Sequence, residues 1–92
     1  MSDPLHSQSV LIANKRGLHA RASAKFVTLA SALPARITVS KDGQDVVGTS
    51  IMGLMMLGAA IGDTITISAT GDDAAGALAQ MVQLVENRFG EE

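Results

Sequence analysis

A histidine and an arginine in Gly17-Leu18-His19-Ala20-Arg21 have the types and spacing for phosphoryl chemistry. They lie where an irregular stretch gives way to a helical pattern. Ser9–Ala13 reads as a strand and 14–17 as the loop leaving it. Beyond them Ala22, Phe26, Leu29, Ala30 and Leu33 follow the spacing of an amphipathic helix. His19 is therefore expected at or beside the N-cap. A helix N-terminus has unpaired backbone N–H groups and a partial positive charge, so it attracts anions, phosphate above all. The same field disfavours an imidazolium and leaves the imidazole lone pair free for attack. A lone His near a helix start is most often a cap or a solvated residue. Arg21 argues for more, because a cation in a first turn opposes the dipole unless an anion sits beside it.

A second stretch, Thr49-Ser50-Ile51-Met52-Gly53-Leu54-Met55-Met56-Leu57-Gly58, is bracketed by N-cap residues and by a glycine suited to a helix stop. A helix this short on a small sheet cannot bury both of its apolar faces. Leu54 and Leu57 are assigned to the core. Ile51, Met52 and Met55 are assigned to the surface, where flexible, polarizable side chains suit several unrelated partners.

The rest of the chain must position these two stretches. Leu33-Pro34 closes the first helix, since the residue before Pro is pushed out of the α region. Ala35–Ser40 alternates with period two, Asp42-Gly43 marks a tight hairpin turn, and a weaker strand returns over about 45–48. Gly62-Asp63 turns into the strand Thr64–Ala69. Gly71-Asp72-Asp73 caps a last helix whose apolar stripe is Leu78, Met81, Val82, Val85 and Phe89. The expected architecture is α/β (α+β): β-α-β-β-α-β-α, an open-faced sandwich with a four-stranded antiparallel sheet and three helices on one face. It is read as a single domain over 1–92, with 1–6 a flexible tail in which His6 is solvated.

Composition narrows the function. The 92 residues carry seven basic against nine acidic side chains and no Cys, which excludes disulfides and thiol chemistry and offers nothing to a polyanion. Only Phe26 and Phe89 are aromatic. An RNA-binding sheet of the same element order is therefore rejected, because its strands would need rings to stack on bases. No apolar run reaches membrane-spanning length and the start does not resemble a signal peptide, so a cytoplasmic location is the expectation. No metal cluster, paired carboxylates or nucleotide loop suggests an autonomous enzyme.

Gly17-Leu18-His19-Ala20-Arg21 together with Thr49–Met55 resembles the HPr family, the histidine-containing phosphocarriers of the bacterial phosphoenolpyruvate-dependent phosphotransferase system. The resemblance runs from about Ser7 to Phe89. It implies that His19 is phosphorylated by enzyme I, by attack through Nδ1, and hands the phosphoryl group to IIA domains. By the same resemblance Arg21 neutralises the phosphate with help from the Ala20 N–H, and Ser50 matches a serine modified by an HPr kinase/phosphorylase. Ala20, Arg21, Ile51, Met52 and Met55 match the docking surface. No cofactor, metal, nucleic acid or membrane insertion is implied, and a monomer is expected. Where the family usually has Pro, this chain has Ala22. The alternative of another class is a small-ligand regulatory module of ferredoxin-like type with no covalent step.

Overall fold

The computed structural model describes residues 5–91. Four strands, β1 (His6–Leu11), β2 (Ala35–Lys41), β3 (Gln44–Val47) and β4 (Thr64–Gly71), form one antiparallel sheet in the order β1-β4-β2-β3. Three helices, α1 (Ala20–Ala32), α2 (Ile51–Met56) and α3 (Ala74–Glu86), complete the expected element order. A 3-10 turn over Arg88–Gly90 follows α3.

Strand alternation sets the two faces. Ile37 and Val39 of β2, Ile65, Ile67 and Ala69 of β4 and Val10 of β1 are buried together with Phe26, Leu54, Met81, Val82 and Val85 from the helices. The other face is hydroxylic: Ser7 bonds Ser68 at 3.0 Å and Ser9 bonds Thr66 at 3.2 Å across the β1–β4 pair. The β2–β3 hairpin turns through Asp42 (φ 50°) and Gly43 (φ 82°), the positive pair that a type I′ turn requires. At the end of α1, Leu33 adopts φ −95° and ψ 146°, the extended conformation that Pro34 imposes.

Three expectations need correction. β1 begins at His6, which pairs with Ala69, so His6 is a strand residue and not part of a tail; positions 1–4 lie outside the described residues. Asp73 occupies the N-cap position of α3, but in the left-handed conformation and without a side-chain cap bond. Phe89 is buried as expected, yet it does not extend the helical stripe. α3 ends at Glu86, and Arg88, Phe89 and Gly90 all have positive φ. Burial of the Phe89 ring offsets that unfavourable backbone.

One seam fixes the start of α1 against the sheet. Ile12 N–H donates to Asp63 O at 2.8 Å, Gly62 N–H to Ile12 O at 2.9 Å, and Leu18 N–H to Ala59 O at 3.0 Å. Gly17 lies in this seam at φ +61°, and a Cβ there would collide with Ala59 O and come within 2.8 Å of Ala60 Cα. Neither partner can give way, because both are backbone. Gly17→Ala is therefore expected to destabilise by about 3 kcal/mol and to lower the melting temperature by more than 10 °C at roughly 4–8 °C per kcal/mol for a domain this small. Thermal unfolding checks this, and a shift within a few degrees would mean that the loop re-routes without cost.

Candidate functional site

The first turn of α1 is built from four adjoining bonds. Ser23, fully buried, donates its Oγ–H to Leu18 O at 3.1 Å, and its N–H makes the first helical bond to His19 O at 2.9 Å. Leu18 is buried and tied to Ala59, so the residue after it has little freedom. His19 is the N-cap, with φ −74° and ψ 179°. Its Nδ1 accepts the Arg21 N–H at 3.3 Å, a long and weak bond. An atom that accepts an N–H carries a lone pair, so Nδ1 is unprotonated.

The other ring nitrogen has a partner that sequence reading did not suggest. Glu91 brings its carboxylate to His19 Nε2, with Oε2 at 3.1 Å and Oε1 at 3.2 Å. The His19 bond, assisted by Asn14, holds the Glu91 carboxyl below the usual value of 4.5. An ionised carboxylate can only accept, so the proton of the neutral imidazole is on Nε2. The two nitrogens thus give the same tautomer independently.

Delivery of Glu91 explains the backbone after α3. The left-handed run at Arg88, Phe89 and Gly90 folds the chain back, and the buried Phe89 anchors it. Lys25 Nζ donates to Phe89 O at 2.7 Å, tying this turn to α1. Asn14, 1% exposed, donates its amide to Gly17 O at 2.8 Å and to Glu91 Oε1 at 2.9 Å. Neither contact was visible in the pattern of residues. Asn14 looked like an ordinary loop residue, and Glu91 followed a helix expected to run through Phe89. The break at Asn87-Arg88-Phe89-Gly90 was the only available signal.

Arg21 lies on the exposed side of the same turn, and no carboxylate pairs with it among the described residues. The Ala20 and Ala22 N–H groups precede the first helical bond, so Pro in place of Ala22 would sacrifice no helical bond. At α2, Ser50 is the N-cap and its Oγ accepts the Gly53 N–H at 3.0 Å. A side chain at Gly53 would be tight, with a Cβ 3.0 Å from Ser50 Oγ and 3.2 Å from Val46 Cβ. Leu54 and Leu57 are buried, while Ile51, Met52 and Met55 are exposed and Met56 more so, at 76%. α1 and α2 pack against each other. Along α1 an open apolar groove of about 480 Å³ runs from Arg21 and Lys25 to Leu29 and Leu84. Among the described residues no group of three His, Cys, Asp or Glu is placed to hold a metal, and no helix is long and apolar enough to cross a membrane.

The lowered Glu91 carboxyl has a signed consequence. A carboxylate depressed in the folded state stabilises the fold above its unfolded value, and that contribution disappears as pH falls through the folded one. Glu91→Gln should therefore melt below the native protein at pH 7, and the gap should hold down to about pH 4.5 and close beneath it. Melting curves of both proteins across that range measure it. A gap that is absent at pH 7, or unchanged at pH 2, would contradict the contact.

Comparison with known proteins shows the same fold and a family match over most of the chain. The family model "PTS HPr component phosphorylation site" matches residues 6–87. The phosphocarrier protein HPr of Cupriavidus necator is 48% identical over 80 residues, spanning 87% of this chain and 90% of that protein. The phosphocarrier protein NPr of Shewanella violacea is 42% identical over 84 residues, 91% of this chain and 92% of that protein. Among solved structures, HPr from Thermoanaerobacter tengcongensis superposes with a TM-score of 0.90 at 45% identity, covering 95% of this chain and 98% of that one.

Proposed function

The chain belongs to the HPr family, the phosphocarriers of the phosphotransferase system, and from that premise we propose that His19 Nδ1 is the atom that carries the phosphoryl group. Membership makes it a carrier and not a catalyst. The observation that supports the assignment is the state of the ring. Nε2 is occupied by Glu91, while among the described residues the Nδ1 lone pair is held only by the weak Arg21 N–H bond at the helix N-terminus.

The mechanism is in-line transfer. Enzyme I presents a phosphohistidine, and Nδ1 attacks phosphorus as the donor's P–N bond breaks, its electrons returning to the donor nitrogen. Attack consumes the lone pair and frees the Arg21 N–H, which is then available to a phosphoryl oxygen together with the Ala20 N–H. The Arg21 guanidinium, which pairs with no carboxylate among the described residues, neutralises the incoming charge. Positioning and charge supply nearly all of the acceleration, as is general for phosphoryl transfer. Reversal of the step onto a IIA domain completes the relay. The supply of phosphate, and the cytoplasmic setting that this relay implies, are parts of the same reading.

The exposed Ile51, Met52 and Met55 provide the apolar part of the docking surface, with Ala20 and Arg21 beside the reacting ring. Ser50 is a cap in any case. As a substrate of an HPr kinase/phosphorylase it would also carry about two negative charges on the helix that presents this patch. One of the solved relatives is described as an HPr dimer from T. tengcongensis, with a TM-score of 0.74 at 46% identity. We propose that this chain works as a monomer, because the transfer requires the face around His19 to be open to its partners in turn.

Incubation with enzyme I and phosphoenolpyruvate is the test. The native protein should acquire one acid-labile phosphate, and His19→Ala should fold but acquire none. Labelling of the variant at the native rate, or at His6, would refute the assignment. Ser50→Asp should keep the cap, since Asp is a good N-cap and its charge suits the dipole. It should raise the apparent KM for enzyme I several-fold, with partial recovery at high salt, because rim charges act on association and are screened. A KM equal to the native value at low salt would remove the regulatory reading and leave Ser50 a cap alone.

A further inference from the structure

We propose that Glu91 and Asn14 are positioning residues that keep a proton on His19 Nε2 throughout the transfer cycle, an inference that rests on His19 being the phosphoacceptor. The geometry is a three-member chain. Asn14 Nδ2 lies 2.9 Å from Glu91 Oε1, and the Glu91 carboxylate lies 3.1 Å from His19 Nε2. The orientation of the Asn14 amide is forced. Both of its neighbours, Gly17 O and the Glu91 carboxylate, are acceptors, so the NH2 group must face them and the oxygen cannot. Asn14 Oδ1 is left buried with no partner among the described residues. A buried acceptor without a partner is a cost to the fold, and here it accompanies an amide committed to two acceptors, one of them the functional carboxylate.

The consequence for chemistry lies in the leaving group. When Nδ1 bonds to phosphorus while Nε2 keeps its proton, the ring becomes a phosphoimidazolium cation. The Glu91 carboxylate is its counter-charge. On the way out, the acceptor nitrogen attacks phosphorus, the N–P electrons return to Nδ1, and His19 leaves as a neutral imidazole. No proton moves in either direction. Were Nε2 stripped of its proton, the ring would have to leave as an imidazolide anion, a far poorer leaving group, and donation would slow. Among the described residues the other charges here, Arg21 at the helix start and Lys25 acting on Glu91, are cations, and Glu91 is the carboxylate in contact with the ring. The arrangement follows the general rule that a histidine's reactive nitrogen is set by the hydrogen bond its other nitrogen makes.

Glu91→Gln separates this role from simple packing. Asn14 would take the new amide's oxygen, as it takes Oε1 now, which turns the NH2 toward His19 Nε2 and demands a lone pair there. The proton would then reside on Nδ1, facing the Arg21 N–H and blocking attack. The experiment records ¹⁵N shifts of the imidazole in the unphosphorylated native protein, Glu91→Gln and Glu91→Ala, and the rates of phosphate gain from enzyme I and of its return. The native ring should be in the Nε2–H form. Glu91→Gln should shift it toward Nδ1–H and slow transfer about tenfold or more, a typical loss for an outer-shell partner. Glu91→Ala should give mixed tautomers and a smaller loss. Native-like ring shifts in both variants, with transfer within about twofold, would overturn the proposal. Failure of the phosphoacceptor reading looks different: the native protein itself would take no phosphate at His19.

Discussion

The seam between the 12–18 segment and the 59–63 segment is the constraint on which the site depends. Three backbone hydrogen bonds and the close approach of Gly17 to Ala59 leave the chain one route into α1. That route places Leu18 in the core and turns His19 outward as the N-cap, with its C=O already in the helix and its ring over the unpaired N–H groups. A histidine one residue earlier would be buried, and one residue later it would be in the helix proper. The position of the His19 ring is thus a matter of register, fixed by a glycine that contributes no side chain.

Two further elements converge on the same ring from distant parts of the sequence. Asn14 comes from the loop after β1, and Glu91 from beyond α3, 77 residues later. They meet only because Phe89 is buried and the left-handed turn around it reverses the chain. Packing and chemistry are therefore coupled: the ring that anchors the turn also sets where the Glu91 carboxylate falls. At α2 the coupling takes another form. Its buried side, Leu54 and Leu57, holds the helix down, and the same brevity leaves Ile51, Met52 and Met55 exposed.

Much of this was legible in the residues. The alternation in β2 and β4, the Asp42-Gly43 turn, the Pro34 stop and the Ser50 cap are local signals with local causes, and each element formed where its signal lay. His19 as N-cap followed from the apolar spacing that begins at Ala22. What could not be read was long-range. Nothing near Glu91 announces a histidine partner, and the stripe Leu78, Met81, Val82, Val85 invites continuation through Phe89, because periodicity cannot distinguish a helical position from a buried turn residue. His6 was misplaced for a related reason. A strand with one buried side chain in six, Val10, gains its hold from ladder bonds to β4, and those leave no mark on composition.

The central claim is that Glu91 occupies Nε2 and leaves Nδ1 to react. The most direct measurement is ³¹P–¹⁵N correlation on the phosphorylated protein with ring-labelled histidine. Phosphorus bonded to Nδ1, with Nε2 still bearing its proton, is the predicted result. Phosphorus on Nε2 would require the Glu91 contact to be broken and would contradict the account.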